Sequence, residues 1–392
     1  MPYYRSVGDV PRKRHVVFHD DNGGCYAEEL MGTEGFSNNS ALLYHRYSPS
    51  AIVAAEAIPD TRASLTPNEP LLPLHVRTGD LPTGGDAVTG RRVLLGNADV
   101  VIGHAFATEE STLYRDAIGD ELVYVQSGRG VLESVFGPLP VGTGDYVVIP
   151  TSATHRWVPD EGDHLRLLTI EATGHVQPPK RYLTAFGQFN EFAPYCERDL
   201  RGPHEPLFSE ETDVDVLVRN RGGLTRYTYA SHPFDVIGWD GCLYPYAFNI
   251  GDFEPIVGAI HQPPPVHQTF EGPNFVVCSF VPRLYDFHPD AIKVPYHHAN
   301  VDSDEVLFYS AGDFMSRAGS GIGVGSISLH PAGFVHGPQP GSLEAARPKD
   351  RTEEVAVMID TFGPLLVSAD ARAVADPDYP WTWARRNPAA TK

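Results

Sequence analysis

The sequence predicts a mainly β fold made of two related halves, each a small sandwich or barrel of short strands, with few helices. Three observations predict it. Glycine and proline are abundant, at 37 and 35 of 392 residues; helices tolerate neither well, whereas tight turns use both. Apolar residues fall in short runs rich in Val, Ile, Tyr and Phe, and long amphipathic helical patterns are scarce. A pattern of residues in the first half also returns in the second.

In chain order, nine runs read as strands: Arg92–Leu95, Val100–Ile102, Glu121–Val125, Tyr146–Ile149, Leu165–Thr169, Phe275–Phe280, Val306–Tyr309, Ile327–Leu329 and Val355–Asp360. Most are closed by Gly, Pro or Asp. Short helices are expected only at Ser50–Ala57 and in the C-terminal tail. The repeat runs through these strands. Asp120-Glu121-Leu122-Val123-Tyr124 is followed by Gly128, and Asp304-Glu305-Val306-Leu307-Phe308 by Gly312, the glycine seven places after the glutamate in both. Downstream, Pro150, Ser152 and His155 answer to Pro331, Gly333 and His336. The copies are offset by 184 residues at the glutamates and 181 at the histidines. Two matches in order at nearly one offset suggest one β unit per half. The expected division is an N-terminal domain over 1–232 and a C-terminal domain over 233–392.

Composition narrows the function. A net charge of −20 repels phosphate backbones, so no nucleic-acid partner is expected. Cys25, Cys196, Cys242 and Cys278 are scattered without a CxxC, which leaves a thiolate metal site unsupported. The start, Met1-Pro2-Tyr3-Tyr4-Arg5, has no apolar signal core, and no apolar run is long enough to span a membrane. A cytoplasmic enzyme with no membrane partner is the expectation.

The second copy carries the chemistry. It reads Tyr296-His297-His298-Ala299-Asn300-Val301-Asp302-Ser303-Asp304-Glu305, then His330-Pro331-Ala332-Gly333-Phe334-Val335-His336-Gly337-Pro338. Strand alternation lets His298 and Asn300 share a face. Glu305 opens the next strand, and His336 follows a Pro-Ala-Gly turn. A single buried histidine is ordinarily a core residue; here two histidines, a glutamate and the turn element occur together. Two neutral imidazoles and one carboxylate suit non-haem Fe(II) with open positions for substrate and O2, and manganese, nickel or zinc remain alternatives. In the first copy Tyr114 and Asp116 stand where His298 and Asn300 do, leaving only Glu121 and His155. That half is expected to hold no metal.

At these residues the chain resembles homogentisate 1,2-dioxygenases, a bicupin-like family of iron enzymes. The resemblance extends to Tyr26-Ala27-Glu28-Glu29-Leu30-Met31-Gly32, to Phe234-Asp235-Val236-Ile237-Gly238-Trp239-Asp240-Gly241 with Tyr244-Pro245-Tyr246, and to His336-Gly337-Pro338. It implies two cupin or jelly-roll-like β-barrel halves, with Fe(II) held by His298, Glu305 and His336. His297 is the alternative by proximity, and alignment through Asn300 favours His298. The resemblance also implies His261 as the acid/base histidine, with a plain loop histidine as the other reading. Tyr296, Asn300, His330 and Phe314 fall at substrate-side positions. The implied reaction joins O2 to a small aromatic hydroquinone, homogentisate, and opens its ring to maleylacetoacetate in tyrosine and phenylalanine breakdown. The implied assembly is a homotrimer or hexamer, to which Trp381 and Trp383 add a weak hint of a contact.

The chain departs from the pattern at Phe314, where the family members carry a tyrosine that reaches substrate. A different hydroquinone, gentisate-like or alkyl-substituted, therefore stays open. Arg283 and Lys293 precede the metal strand and are candidates to meet a substrate carboxylate, or solvated surface charges. Two further readings are a metal-dependent cupin isomerase, which needs no O2, and a non-enzymatic bicupin, against which the complete His-Asn-Glu-His set argues.

Overall fold

A computed structural model describes residues 3–384. Strands dominate it. Among the described residues the α-helices are two five-residue segments, Ser342–Ala346 and Ala369–Ala373. All nine runs predicted as strands lie within strands. They formed legible runs because the central ones are buried on both faces, so their apolar residues are continuous rather than alternating.

One expected helix is a strand. Residues 50–57 read as Ser-Ala-Ile-Val-Ala-Ala-Glu-Ala, a composition that favours helix, but Ile52–Ile58 pairs antiparallel with Gly223–Ser231. Pairing along that strand overrides local propensity. The tail holds a short 3-10 segment at Tyr379–Ala384, and residues 385–392 lie outside the described residues.

The chain forms two compact units that do not follow a single cut. The first comprises Met1–Arg62, Thr83–Arg91 and His104–Asn249; the second comprises Ala63–Pro82, Arg92–Gly103 and Ile250–Lys392.

The first unit has a seven-stranded sheet running from Gly137–Gly142 to Ile52–Ile58 and a four-stranded sheet that includes Ser40–His45 and Val236–Gly241. It also carries three neighbouring strands, here β1 (Glu121–Ser127), β2 (Asp145–Ile149) and β3 (Leu165–Ala172), in the order β2-β1-β3. The second unit repeats that order. Its strands β4 (Asp304–Ala311), β5 (Ser326–His330) and β6 (Val355–Thr361) lie as β5-β4-β6. Register repeats too. Glu121 faces Ile149 and Glu171, and Glu305 faces His330 and Asp360. Tyr114 pairs with His155 in the first unit, as His298 bridges to His336 in the second. The plan is mainly β and cupin-like, and the sheets stay open rather than closing into barrels.

The repeated glycines have a shared cause. Gly128 and Gly312 adopt φ of 97° and 90°, the left-handed region. A Cβ at either would run into a backbone carbonyl, of His164 and Glu353 respectively.

Strand alternation in the second unit sorts core from site. Val306, Phe308, Val357 and Ile359 are fully buried in the core. Their neighbours Glu305, Leu307, Met358 and Asp360 turn the other way and line a cavity of about 320 Å³.

Candidate metal centre

Three side chains converge at one wall of that cavity. His298 Nε2 lies 3.4 Å from Glu305 Oε2, and His336 Nε2 lies 3.1 Å from Glu305 Oε1. One ligand atom from each residue falls within 4.8 Å of the other two. The backbone fixes the approach: His298 and His336 exchange N–H to O=C hydrogen bonds of 2.8 and 2.9 Å. Glu305 and His336 are buried, and His298 is half-buried towards the cavity.

The hydrogen bonds select the tautomers. His298 Nδ1 donates to the Tyr296 carbonyl at 3.0 Å, and His336 Nδ1 to the Phe334 carbonyl at 3.1 Å. With the ring protons held there, each Nε2 turns a lone pair towards a carboxylate oxygen. In that neutral form three electron-pair donors face one another; without a cation between them, a proton on an imidazole Nε2 bridges to Glu305 instead. That donor set fits a cation, and two imidazoles with one carboxylate fit Fe(II). Burial works against the charge on Glu305, but hydrogen bonds from His298, His330 and His336 outweigh it and hold the carboxyl well below the usual range. The hydrogen bond to Glu305 raises His298 above the ordinary histidine value.

Around this set the expected residues fall in different places. His330 is buried behind Glu305, donating Nδ1–H to Oε1 at 2.8 Å and accepting from the Tyr379 hydroxyl at 2.9 Å. Burial drives its pKa down to about 3, so it is neutral and orients the glutamate. Asn300 lines the cavity and donates to Asp360 at 3.1 Å. Tyr296 and His261 line it too, ring edge to face at 5.1 Å, with Asp286 3.6 Å from His261 Nδ1. His297 points elsewhere, into a shallow hollow with Val335 and Trp383. Phe314 is not on the cavity wall. It is buried among Cys278, Leu307, Tyr309 and Met358. Trp383 packs on Phe334 and Tyr379 and donates to the Gly337 carbonyl, while Trp381 is exposed.

Comparison with known proteins gives the chain a family. A family model for the N-terminal part of homogentisate 1,2-dioxygenase matches residues 22–250. A candidate dioxygenase of Saccharolobus solfataricus is 38% identical over 98% of this chain and 99% of its own. The chain belongs to the homogentisate 1,2-dioxygenase family. Homogentisate 1,2-dioxygenases of Bradyrhizobium diazoefficiens and Emericella nidulans are more distant. They are 25% and 23% identical, over 92% and 83% of this chain and 86% and 78% of theirs.

Within this family member, the first unit sets a guanidinium at the repeated position. Arg91, buried, sets Nη1 2.8 Å from Glu171 and 3.3 Å from Glu121, with its guanidinium over the Tyr114 ring. Arg62 adds a second contact to Glu171 at 2.7 Å. His155 keeps its Nδ1 on the Ala153 carbonyl at 2.9 Å, but its Nε2 is 3.9 Å from Glu121 and has no hydrogen-bond partner.

Sequence reading missed several cavity groups. Asp360 stands opposite Glu305, and burial, then the Glu305 charge, raises it to about 7. Arg317 and Glu354 also line the wall. The only sequence signal was a charged residue ending or flanking an apolar run, which many surface positions share.

Proposed function

We propose that the second unit is an Fe(II)-dependent dioxygenase site that opens the ring of a hydroquinone, homogentisate to 4-maleylacetoacetate, with a role in tyrosine and phenylalanine catabolism. The observation that carries the reading is the convergence of His298 Nε2, Glu305 and His336 Nε2 beside a cavity that also holds His261. Family membership and a dioxygenase-named relative support the reaction class.

The residues take distinct parts. His298, Glu305 and His336 would hold the metal. The metal, when bound, supplies open positions where a ring hydroxyl and O2 meet, and the one-electron chemistry that lets ground-state O2 attack a closed-shell ring. Asp286 lies beside His261 Nδ1, which leaves Nε2 to accept the proton of the ring hydroxyl. Leu307, Met358 and Ile256 give the wall an apolar face that excludes water from the ring. His330 keeps Glu305 in place from behind. The wider family reading brings a cytoplasmic enzyme assembled as a homotrimer or hexamer.

Oxygen uptake after anaerobic Fe(II) loading tests the reading, with homogentisate, gentisate and methylhydroquinone as substrates. Stoichiometric uptake that is fastest on homogentisate is expected. A tenfold preference for methylhydroquinone would reassign the substrate, and no uptake with any of the three would end the dioxygenase reading.

A further inference from the structure

The cavity contains a cation that the metal-centre chemistry does not use. Arg283 and Leu284 form a two-residue strand paired with Arg351–Thr352, which fixes the backbone at the cavity wall. The guanidinium sits on the Phe280 ring, 5.6 Å from its centroid, and Nη1 donates to the Val281 carbonyl at 3.2 Å. Among the described residues no carboxylate lies within ion-pair distance of it, although Glu354 and Asp286 line the same cavity.

The other cations of the cavity are committed. Lys293 gives its ammonium to the backbone carbonyls of Arg347 and Lys349. Arg317 is buried, donating to the Tyr309 hydroxyl at 3.0 Å and to the Gly337 carbonyl at 2.7 Å. A guanidinium carries five N–H donors in a planar fork suited to a carboxylate. Partly withdrawn from water and without a carboxylate in ion-pair contact, it gains from an incoming anion.

We propose that Arg283 is the anion anchor of this cavity and selects ring substrates that carry a carboxylate. The inference rests on the hydroquinone reading for the ring, but not for the anion. Desolvation lowers the Arg283 pKa, the sign of a cation short of compensation. Burial raises the Glu354 carboxyl, against the opposing pull of the Arg283 and Arg317 charges. The contact with Phe280 and the hydrogen bond to Val281 hold the side chain at the wall, so a carboxylate meets it with less further ordering.

The test is anaerobic calorimetric titration of the Fe(II)-loaded full chain with homogentisate, phenylacetate and methylhydroquinone, for wild type, Arg283→Gln and Arg283→Lys. Arg283→Gln is expected to weaken both acids by roughly 10- to 100-fold, the worth of a charged hydrogen bond, and methylhydroquinone by less than about threefold. Arg283→Lys should recover part of the loss, since it keeps the charge without the fork. Metal content and Tm equal to wild type show that the variants are folded; if the glutamine variant is not, the lysine variant's selective loss on the acids carries the same reading. Equal weakening of all three ligands overturns the proposal, as does unchanged acid binding or a wild type that binds neither acid. Phenylacetate separates the two ideas. Its dependence on Arg283, in a protein that takes up no oxygen with any hydroquinone, would keep the anchor and remove the dioxygenase.

Discussion

A histidine presents a lone pair through whichever nitrogen its other hydrogen bond leaves free. His298, His336 and His155 all place Nδ1 on the carbonyl two residues back, so the ring orientation is set by the local backbone at each. What differs is the company. His298 brings a second imidazole to Glu305, whereas Tyr114 brings none to Glu121. This part of the site was legible in the sequence, because ligand types and spacing recur against a degenerate copy. Arg317, Asp360 and Glu354 were harder to read, since one charge beside an apolar strand carries no spacing signal. Phe314 was legible as a departure but not in its consequence, because it packs behind Leu307 and Met358. His261 yields a prediction at this scale. His261→Gln should slow turnover by about 10²–10⁴, as loss of a general base does, and leave metal content unchanged. Steady-state oxygen uptake and metal analysis check it, and a wild-type rate across pH 5–8 would return His261 to a structural role.

At the scale of elements, β1 and β4 solve one problem in two ways. Each carries a buried glutamate facing a second acid on the next strand, Glu171 for Glu121 and Asp360 for Glu305. In the first unit Arg91 supplies the compensating charge from within the chain. Arg91→Met should therefore destabilise the protein by about 3–5 kcal/mol, the cost of leaving a buried charge without its partner. Urea unfolding reads the change, and metal content at the second unit should not move. A variant within about 0.5 kcal/mol of wild type, the range of ordinary surface substitutions, would show that Arg91 is not the compensating cation. Nine strands could be read in advance because continuous apolar runs and closing turns mark strands buried on both faces. Ile52–Ile58 could not, because its alanines and glutamate favour helix and only its pairing with Gly223–Ser231 decides otherwise. The partner strands Thr212–Asn220 and Gly223–Ser231 are only partly buried, and their mixed polarity hid them.

For the whole molecule, stability and function draw on different histidines. His45 in the first unit lies between Asp235, 2.6 Å from Nδ1, and Glu29, 2.9 Å from Nε2. Desolvation opposes its charge, but the two acids prevail and lift its pKa from 6.5 to about 9. A raised folded-state pKa stabilises fully below the unfolded value and loses that stabilisation as pH rises through the folded one. The protein should therefore lose on the order of 2–3 kcal/mol between pH 6 and pH 10, a span that His45→Gln should flatten. Denaturant midpoints at those pH values decide it; equal slopes in both proteins would contradict the pairing. The division of labour between the units is the central claim: the second holds the metal, and the first carries a protein cation at the repeated position. Anaerobic Fe(II) titration with metal analysis of wild type, His336→Ala and His155→Ala tests it most directly. The account predicts one iron per chain in the wild type and in His155→Ala, and none retained in His336→Ala; equal loss of iron from both variants would contradict it.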